Sequence, residues 1–180
     1  MEAIECIKTR RSVRRYTDEP VTTEEIKEII DIARMAPTWK NTQTIRYVVV
    51  QDKSIIETIE QDCLLGFEHN AKTMSQCNAV VILAQVNGRC GYEKDGSFTT
   101  SKGAGWEMFD AGIAAQTFCL AAHDRGIGSV IMGIFDDEKV AKAIELPEGQ
   151  SVAAIITIGK PKFAPDPTPR KEVDELVRFI

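Results

Sequence analysis

The stretch Ala79–Val86 constrains this chain more than any other: six consecutive apolar residues, Ala79 to Ala84, lead into Gln85 and Val86. The run is far below the roughly 18 residues needed to cross a bilayer, so it reads as a central strand covered on both faces. The rest of the chain must supply those covers. Thr22-x-x-Glu25 is a capping box ahead of Ile26, Ile29, Ile30 and Ala33, the i, i+3, i+4, i+7 spacing of a buried helix face, with Pro37 closing the helix. Ala104–Arg125 predicts a long, mostly buried helix through Met108, Ala111, Ala115, Phe118, Cys119 and Ala122, closely packed through its small residues and capped by Gly126. Shorter helices are expected over Glu2–Thr9, with Ala3, Ile4 and Ile7 on one face, and near Lys53–Leu64. Another runs from Asp136-Asp137-Glu138 to near Pro147, its acids serving as an N-terminal charge cap rather than a metal site. Ile45–Gln51, Ser129–Met132 and Ser151–Ile158 read as further strands.

The polar segment Asn87–Gly103 is longer than an ordinary connection, and predicts either a mobile cover over a site or a disordered insertion. It contains Cys90, which is expected to be the most exposed of the five cysteines. Those five (Cys6, Cys63, Cys77, Cys90, Cys119) are scattered and contain no C-x-x-C pair, which argues against a disulfide framework or a zinc ribbon and for a reducing cytoplasm. No metal site is expected. A length of 180 residues, 43% of them apolar, implies one domain over 1–180 with a real core, and neither signal peptide nor membrane anchor is expected. The formal charge of −5 disfavours nucleic-acid binding.

That charge is unevenly placed. Lys8, Arg10, Arg11, Arg14 and Arg15 fall within eight residues that hold no acid, so the segment carries +5 and leaves −10 on the remainder. Arginines crowded in this way repel one another; a bound phosphate satisfies them, and so does a solvated turn paired to acids elsewhere. Near the other end, Pro161, Pro165, Pro167 and Pro169 predict an extended arm, followed by a short apolar helix with Val173, Leu176 and Val177. Such a helix must pack on its own core or on a partner, and a homodimer is expected. Phosphate-binding G-x-x-x-x-G-K-[ST] and G-x-G-x-x-G motifs are absent, and His69 and His123, on predicted helices far apart, match no hydrolase triad.

Four segments in order resemble the nitroreductase family of flavin mononucleotide (FMN) oxidoreductases. Arg10-Arg11-Ser12-Val13-Arg14-Arg15-Tyr16 is similar to the family's N-terminal motif, and Ala36-Pro37-Thr38-Trp39-Lys40-Asn41-Thr42-Gln43 to its Ala-Pro-Ser-x-x-Asn-x-Gln segment. Gly126-Ile127-Gly128 with Ile131-Met132-Gly133 resembles the strand and turn beside the flavin ring. Ile158-Gly159-Lys160-Pro161 and the arm to Arg170 resemble the family's last strand and C-terminal basic residue. Two departures stand out: Thr44-Ile45 replaces the family's usual Pro-Trp, and Thr73, with Lys72 adjacent, lies where some members carry a flavin-proximal Lys or Arg after an Asn, here Asn70.

The resemblance implies an α+β fold, a mixed or antiparallel sheet flanked by helices in an intertwined homodimer, with the arm at about 160–180 wrapping the partner. It implies FMN binding by Arg10, Arg11, Ser12, Arg14, Pro37, Thr38, Trp39, Asn41, Gln43, Asn70, Ile131, Met132, Gly133 and Arg170. Arg10, Ser12 and Arg170 would hold the phosphate, with Lys171 as a further basic residue beside it, and Arg14 would stabilise charge at flavin N1/O2. Thr38, Trp39 and Asn41 would come from the second subunit, although Trp39 also suits plain interface core. The activity implied is ping-pong reduction of a small-molecule acceptor, such as a nitroaromatic or quinone, at the expense of NADH or NADPH. A non-catalytic flavin-storing or flavin-sensing protein is the alternative, and a flavin-free scaffold a third reading.

Overall fold

The computed structural model describes residues 1–180. Its centre is a four-stranded sheet of β1 (Ile45–Val50), β2 (Ala79–Val86), β3 (Gly128–Met132) and β4 (Gln150–Gly159), in spatial order β1-β2-β4-β3 with every pair antiparallel. The expected sheet is thus wholly antiparallel rather than mixed. Side chains of β2 alternate between two cores: Ala79, Val81 and Leu83 enter one, Val80 and Ile82 the other. This is why Ala79–Ala84 is apolar without interruption.

Helices α2 (Thr23–Ala33) and α5 (Gly105–Asp124) cover the first face, where Ile26, Ile29 and Ala33 meet Ala111, Ala114, Ala115 and Phe118. The capping box that starts α2 is formed: Thr22 Oγ1 accepts from Glu25 N, and Glu25 Oε2 from Thr22 N at 2.8 Å. Helices α3 (Lys53–Asp62), α4 (Glu68–Met74) and α6 (Asp137–Ala143) cover the other face, bringing Ile56, Ile59, Met74 and Val140 into the second core. Asp136 caps α6 by accepting from Lys139 N at 3.0 Å, so the acid cluster acts at a helix start. The helix ends at Ala143, short of Pro147, and Glu145 takes a left-handed φ of 50°.

Helix α1 (Ala3–Thr9) lies against α5, leaving Ile4 and Ile7 exposed. Beyond β4 the chain runs out through Pro161 to a single helical turn, α7 (Val173–Leu176), with no own-core packing: Leu176 is 70% and Phe179 90% exposed. No helix is long and apolar enough to cross a membrane.

Candidate functional site

The arginine segment is fastened to the end of the sheet where β3 begins and β4 finishes. Ser12 bridges to Ser129, Val13 N donates to Ser129 O at 3.0 Å, and Thr17 N donates to Lys160 O. Two glycines make room for it. A Cβ on Gly128 would lie 2.8 Å from Val13, and one on Gly159 would lie 2.6 Å from both the Tyr16 ring and Asn78 Oδ1. Tyr16 is the deeper anchor: its hydroxyl donates to Val13 O at 2.7 Å and lies 2.9 Å from Thr157 Oγ1, and burial pushes the phenol above its usual value of 10. Val13 and Tyr16, the apolar anchors of the segment, are both buried.

Between those anchors the cations stay free of acids. Arg10 and Ser12 are half-buried and Arg14 exposed. Arg11 Nη1 donates to the carbonyls of Lys8 and Arg10, and Arg14 Nη1 to that of Ser12, but none of the four arginines has a carboxylate within 4.0 Å. The solvated turn paired to acids is therefore not what forms. Arg14 and Arg15 line a polar groove of about 220 Å³ with His69, Lys72, Thr73 and Gln76.

Along the same edge, Met132 is buried, while Ile131 and Ile134 are exposed on either side of Gly133. No atom lies within 4 Å of where a Gly133 Cβ would stand, so packing inside the chain does not require glycine there. Asn70 is buried on α4 and donates from Nδ2 to Ile134 O at 3.4 Å, which fixes the chain leaving β3. His123 is structural: its Nε2 is 2.9 Å from Thr9 Oγ1, whose hydroxyl already donates to Glu5 O. Burial, and after it the charges of Arg10 and Arg11, lower the pKa of this imidazole.

Residues Pro37–Gln43 sit elsewhere. They precede β1, whose first residue pairs with Gln85 at the far end of β2 from Ala79, whereas the arginine segment docks beside Gly128 and Gly159. The two groups occupy opposite edges and opposite ends of the sheet, on the order of 20 Å apart by strand spacing and rise. The segment contains the short 3₁₀ turn Trp39–Asn41 and three non-glycine residues in left-handed geometry: Lys40 (φ 44°), Asn41 (φ 56°) and Gln43 (φ 50°). Thr38 Oγ1 accepts from Gln43 N at 3.1 Å, and Trp39 packs against Trp106 with ring centroids 4.6 Å apart.

The polar segment 87–103 is folded rather than a disordered insertion. Thr99 N donates to Gly91 O, Tyr92 packs on Phe98, Lys40 pairs with Glu93 at 3.3 Å, and Glu107 Oε1 accepts from Gly88 N at 2.7 Å. Cys90, expected to be exposed, is 0% exposed: its thiol is turned inward to Asp110 Oδ2 at 3.1 Å. Asp110, which sequence reasoning passed over, also accepts Trp39 N at 2.8 Å. An acid facing the core among the alanines of α5 was the available signal. Arg170 lies on the exposed arm, with hydrogen bonds only to Thr168 and Pro169. The root of that arm lies along the arginine segment, through Lys162 N to Arg15 O and the Tyr16–Pro161 bridge.

The family model described as "Nitroreductase family" matches residues 7–160, from the arginine segment through the end of β4. The chain belongs to the nitroreductase family. Among similar proteins of this family, one from Archaeoglobus fulgidus, provisionally named an NADH dehydrogenase/NAD(P)H nitroreductase, is 27% identical over 92% of this chain and 88% of its own length. An FMN reductase [NAD(P)H] from Bacillus subtilis is 30% identical over 89% of this chain and 66% of its own. The crystal structure of a nitroreductase family protein from Streptococcus pneumoniae superposes with a TM-score of 0.85 at 22% identity, covering 99% of this chain and all of that one. This likeness fixes the nitroreductase fold and its α+β class.

Proposed function

We propose that this oxidoreductase binds FMN and uses NADH or NADPH to reduce nitroaromatics, quinones or similar small acceptors in a ping-pong cycle. The observation that carries the reading is a cluster of arginines free of any carboxylate, docked on the edge strand β3, together with Gly133 just beyond that strand, where exposed Ile131 and Ile134 leave room over a glycine. A phosphate dianion suits the first part and a flat apolar ring the second. Arg10 and Ser12 would hold the phosphate, joined by Arg170 from the arm, with Arg11 lining the cradle. Ile131, Met132 and Gly133 would lie along the ring, and Asn70 keeps that turn in place. Arg14, at the rim of the polar groove, would favour negative charge at flavin N1/O2. Bound FMN would supply the two-electron redox chemistry that no side chain of this site offers.

Pro37, Thr38, Trp39, Asn41 and Gln43 lie at the opposite corner of the sheet and cannot reach the same flavin within one protomer. They would serve the flavin of a second subunit, so the working unit is a homodimer with the single domain 1–180 contributing to two sites. The chemistry and the residue inventory suit a cytoplasmic enzyme.

The test is the visible spectrum of the purified protein supplied with FMN, repeated anaerobically after NADH and then NADPH. A bound flavin band that bleaches is expected, and the more effective nucleotide is the preferred donor. A bound band that resists both favours a storage or sensing protein, and no bound band removes the flavin reading. Arg10→Ala should weaken FMN binding; unchanged FMN affinity in that variant removes the phosphate assignment of Arg10.

A further inference from the structure

The segment Pro37–Gln43 is a strained piece of backbone on the surface, and three left-handed non-glycine residues within four positions persist only where surrounding contacts hold them. Its fastenings are few. Thr38 Oγ1 closes the turn on itself through Gln43 N, and the Lys40–Glu93 pair is exposed and so contributes little. Arg46 Nη1 donates to Gln43 O at 3.0 Å from an exposed side chain, and the one polar tie that runs inward is from Trp39 N to Asp110 Oδ2 at 2.8 Å.

Asp110 is 2% exposed on α5, and the same oxygen takes the Cys90 thiol at 3.1 Å. No cation is paired with it. A side-chain acceptor buried in this way needs the donors it has, because a buried oxygen left without a partner is costly. Burial, and then the bond to Asp110, push the Cys90 thiol up to about 12, so it remains a protonated donor throughout the working pH range. One turn earlier, Glu107 is also buried and accepts Gly88 N, so consecutive turns of one helix grip the Trp39 segment and the 87–103 loop.

We infer that Asp110, oriented by the Cys90 thiol, is a positioning residue: it holds Trp39 and the strained Thr38–Gln43 turn in the geometry that meets the partner subunit's flavin. The inference rests on the reading of that segment as a flavin contact. It assigns a role to a buried acid–thiol pair that takes no part in phosphate or ring binding.

The experiment compares wild-type protein with Asp110→Ala and Asp110→Asn, measuring FMN dissociation by fluorescence at a temperature where all three are folded by circular dichroism, and tryptic cleavage after Lys40. The expected result for Asp110→Ala is an FMN affinity about 10-fold or more weaker and faster nicking at Lys40. Asp110→Asn, which keeps a carbonyl oxygen for Trp39 N, should recover most of both. If Asp110→Ala does not fold, Cys90→Ala takes its place, with about a threefold loss of affinity expected. Faster nicking with unchanged FMN affinity overturns the inference, because the acid is then only structural. An Asn variant as impaired as the Ala variant overturns it as well. A wild-type protein that takes up no FMN overturns the flavin reading itself and this inference with it, a result seen before any variant is compared.

Discussion

Two glycines in this chain look alike in sequence and differ in what surrounds them. A Cβ at Gly159 would fall 2.6 Å from Tyr16 and Asn78, whereas one at Gly133 meets nothing within 4 Å. Gly159→Ala should therefore cost about 1–3 kcal/mol of stability by overpacking, read by chemical denaturation. Gly133→Ala should unfold like the wild type and yet bind FMN more weakly; equal FMN affinity would remove Gly133 from the ring site. The thiols give a second residue-scale expectation. Burial raises all five above the usual cysteine value, with Cys77 and Cys90 near 12. Because the thiolate is the reactive form, native protein at pH 8 should be nearly inert to a disulfide reagent and release five equivalents only on unfolding. A rapidly reacting thiol in the native state, assigned to Cys90 by peptide mapping, would contradict its burial.

At the scale of elements, the strands and long helices were legible because each has a strong period and clear stops. Ala79–Val86 is read to the residue, Ile45–Val50 to within one, and α2 announces itself through its capping box. What escaped is non-local. Nothing in Asn87–Gly103 reports that Trp106 and Glu107 lie beneath it, so a polar loop containing an inward-facing cysteine looked open. The Trp39–Asn41 turn was equally hidden, since its left-handed residues are not glycines. Candidate site residues drew attention where a charge run or a glycine has to be explained, as at Arg10–Arg15; Asp110 announced itself only by its helical spacing from Ala114 and Phe118, a weaker signal.

One tie between elements is testable by pH. Lys160, at the end of β4, hydrogen-bonds Glu25 of α2, and with the Thr22 N–H this holds the Glu25 carboxyl at about 2, below its usual 4.5. Folding lowers this pKa, so the stabilisation is complete above about pH 4.5 and drains away as pH falls toward 2. With the pair partly solvated, the loss should be on the order of 1 kcal/mol. Plots of Tm against pH for wild type and Glu25→Gln should converge across that window, and parallel curves would show that the pair does not link α2 to β4.

For the whole molecule, the unpartnered surfaces and the divided site point the same way. The chain exposes Val173, Leu176, Phe179 and Ile180 on its arm, and Ile4, Ile7, Met108 and Phe109 on α1 and α5. An isolated chain presenting this much apolar surface gains by burying it against a second copy. The halves of the proposed flavin site lie at opposite corners of one sheet, so the same association would complete both sites. Dimerisation and FMN binding are then thermodynamically linked, and each must strengthen the other by the same factor. A chain ending at Glu172 should sediment nearer to monomer than the full chain does, and should bind FMN more weakly even though Arg10, Ser12 and Arg170 are retained. Added FMN should shift the full-length protein toward dimer at low concentration, where sedimentation velocity resolves both species. FMN affinity that stays constant while the protein dissociates would mean that one protomer holds the flavin alone, and the Pro37–Gln43 segment would lose its place in the site.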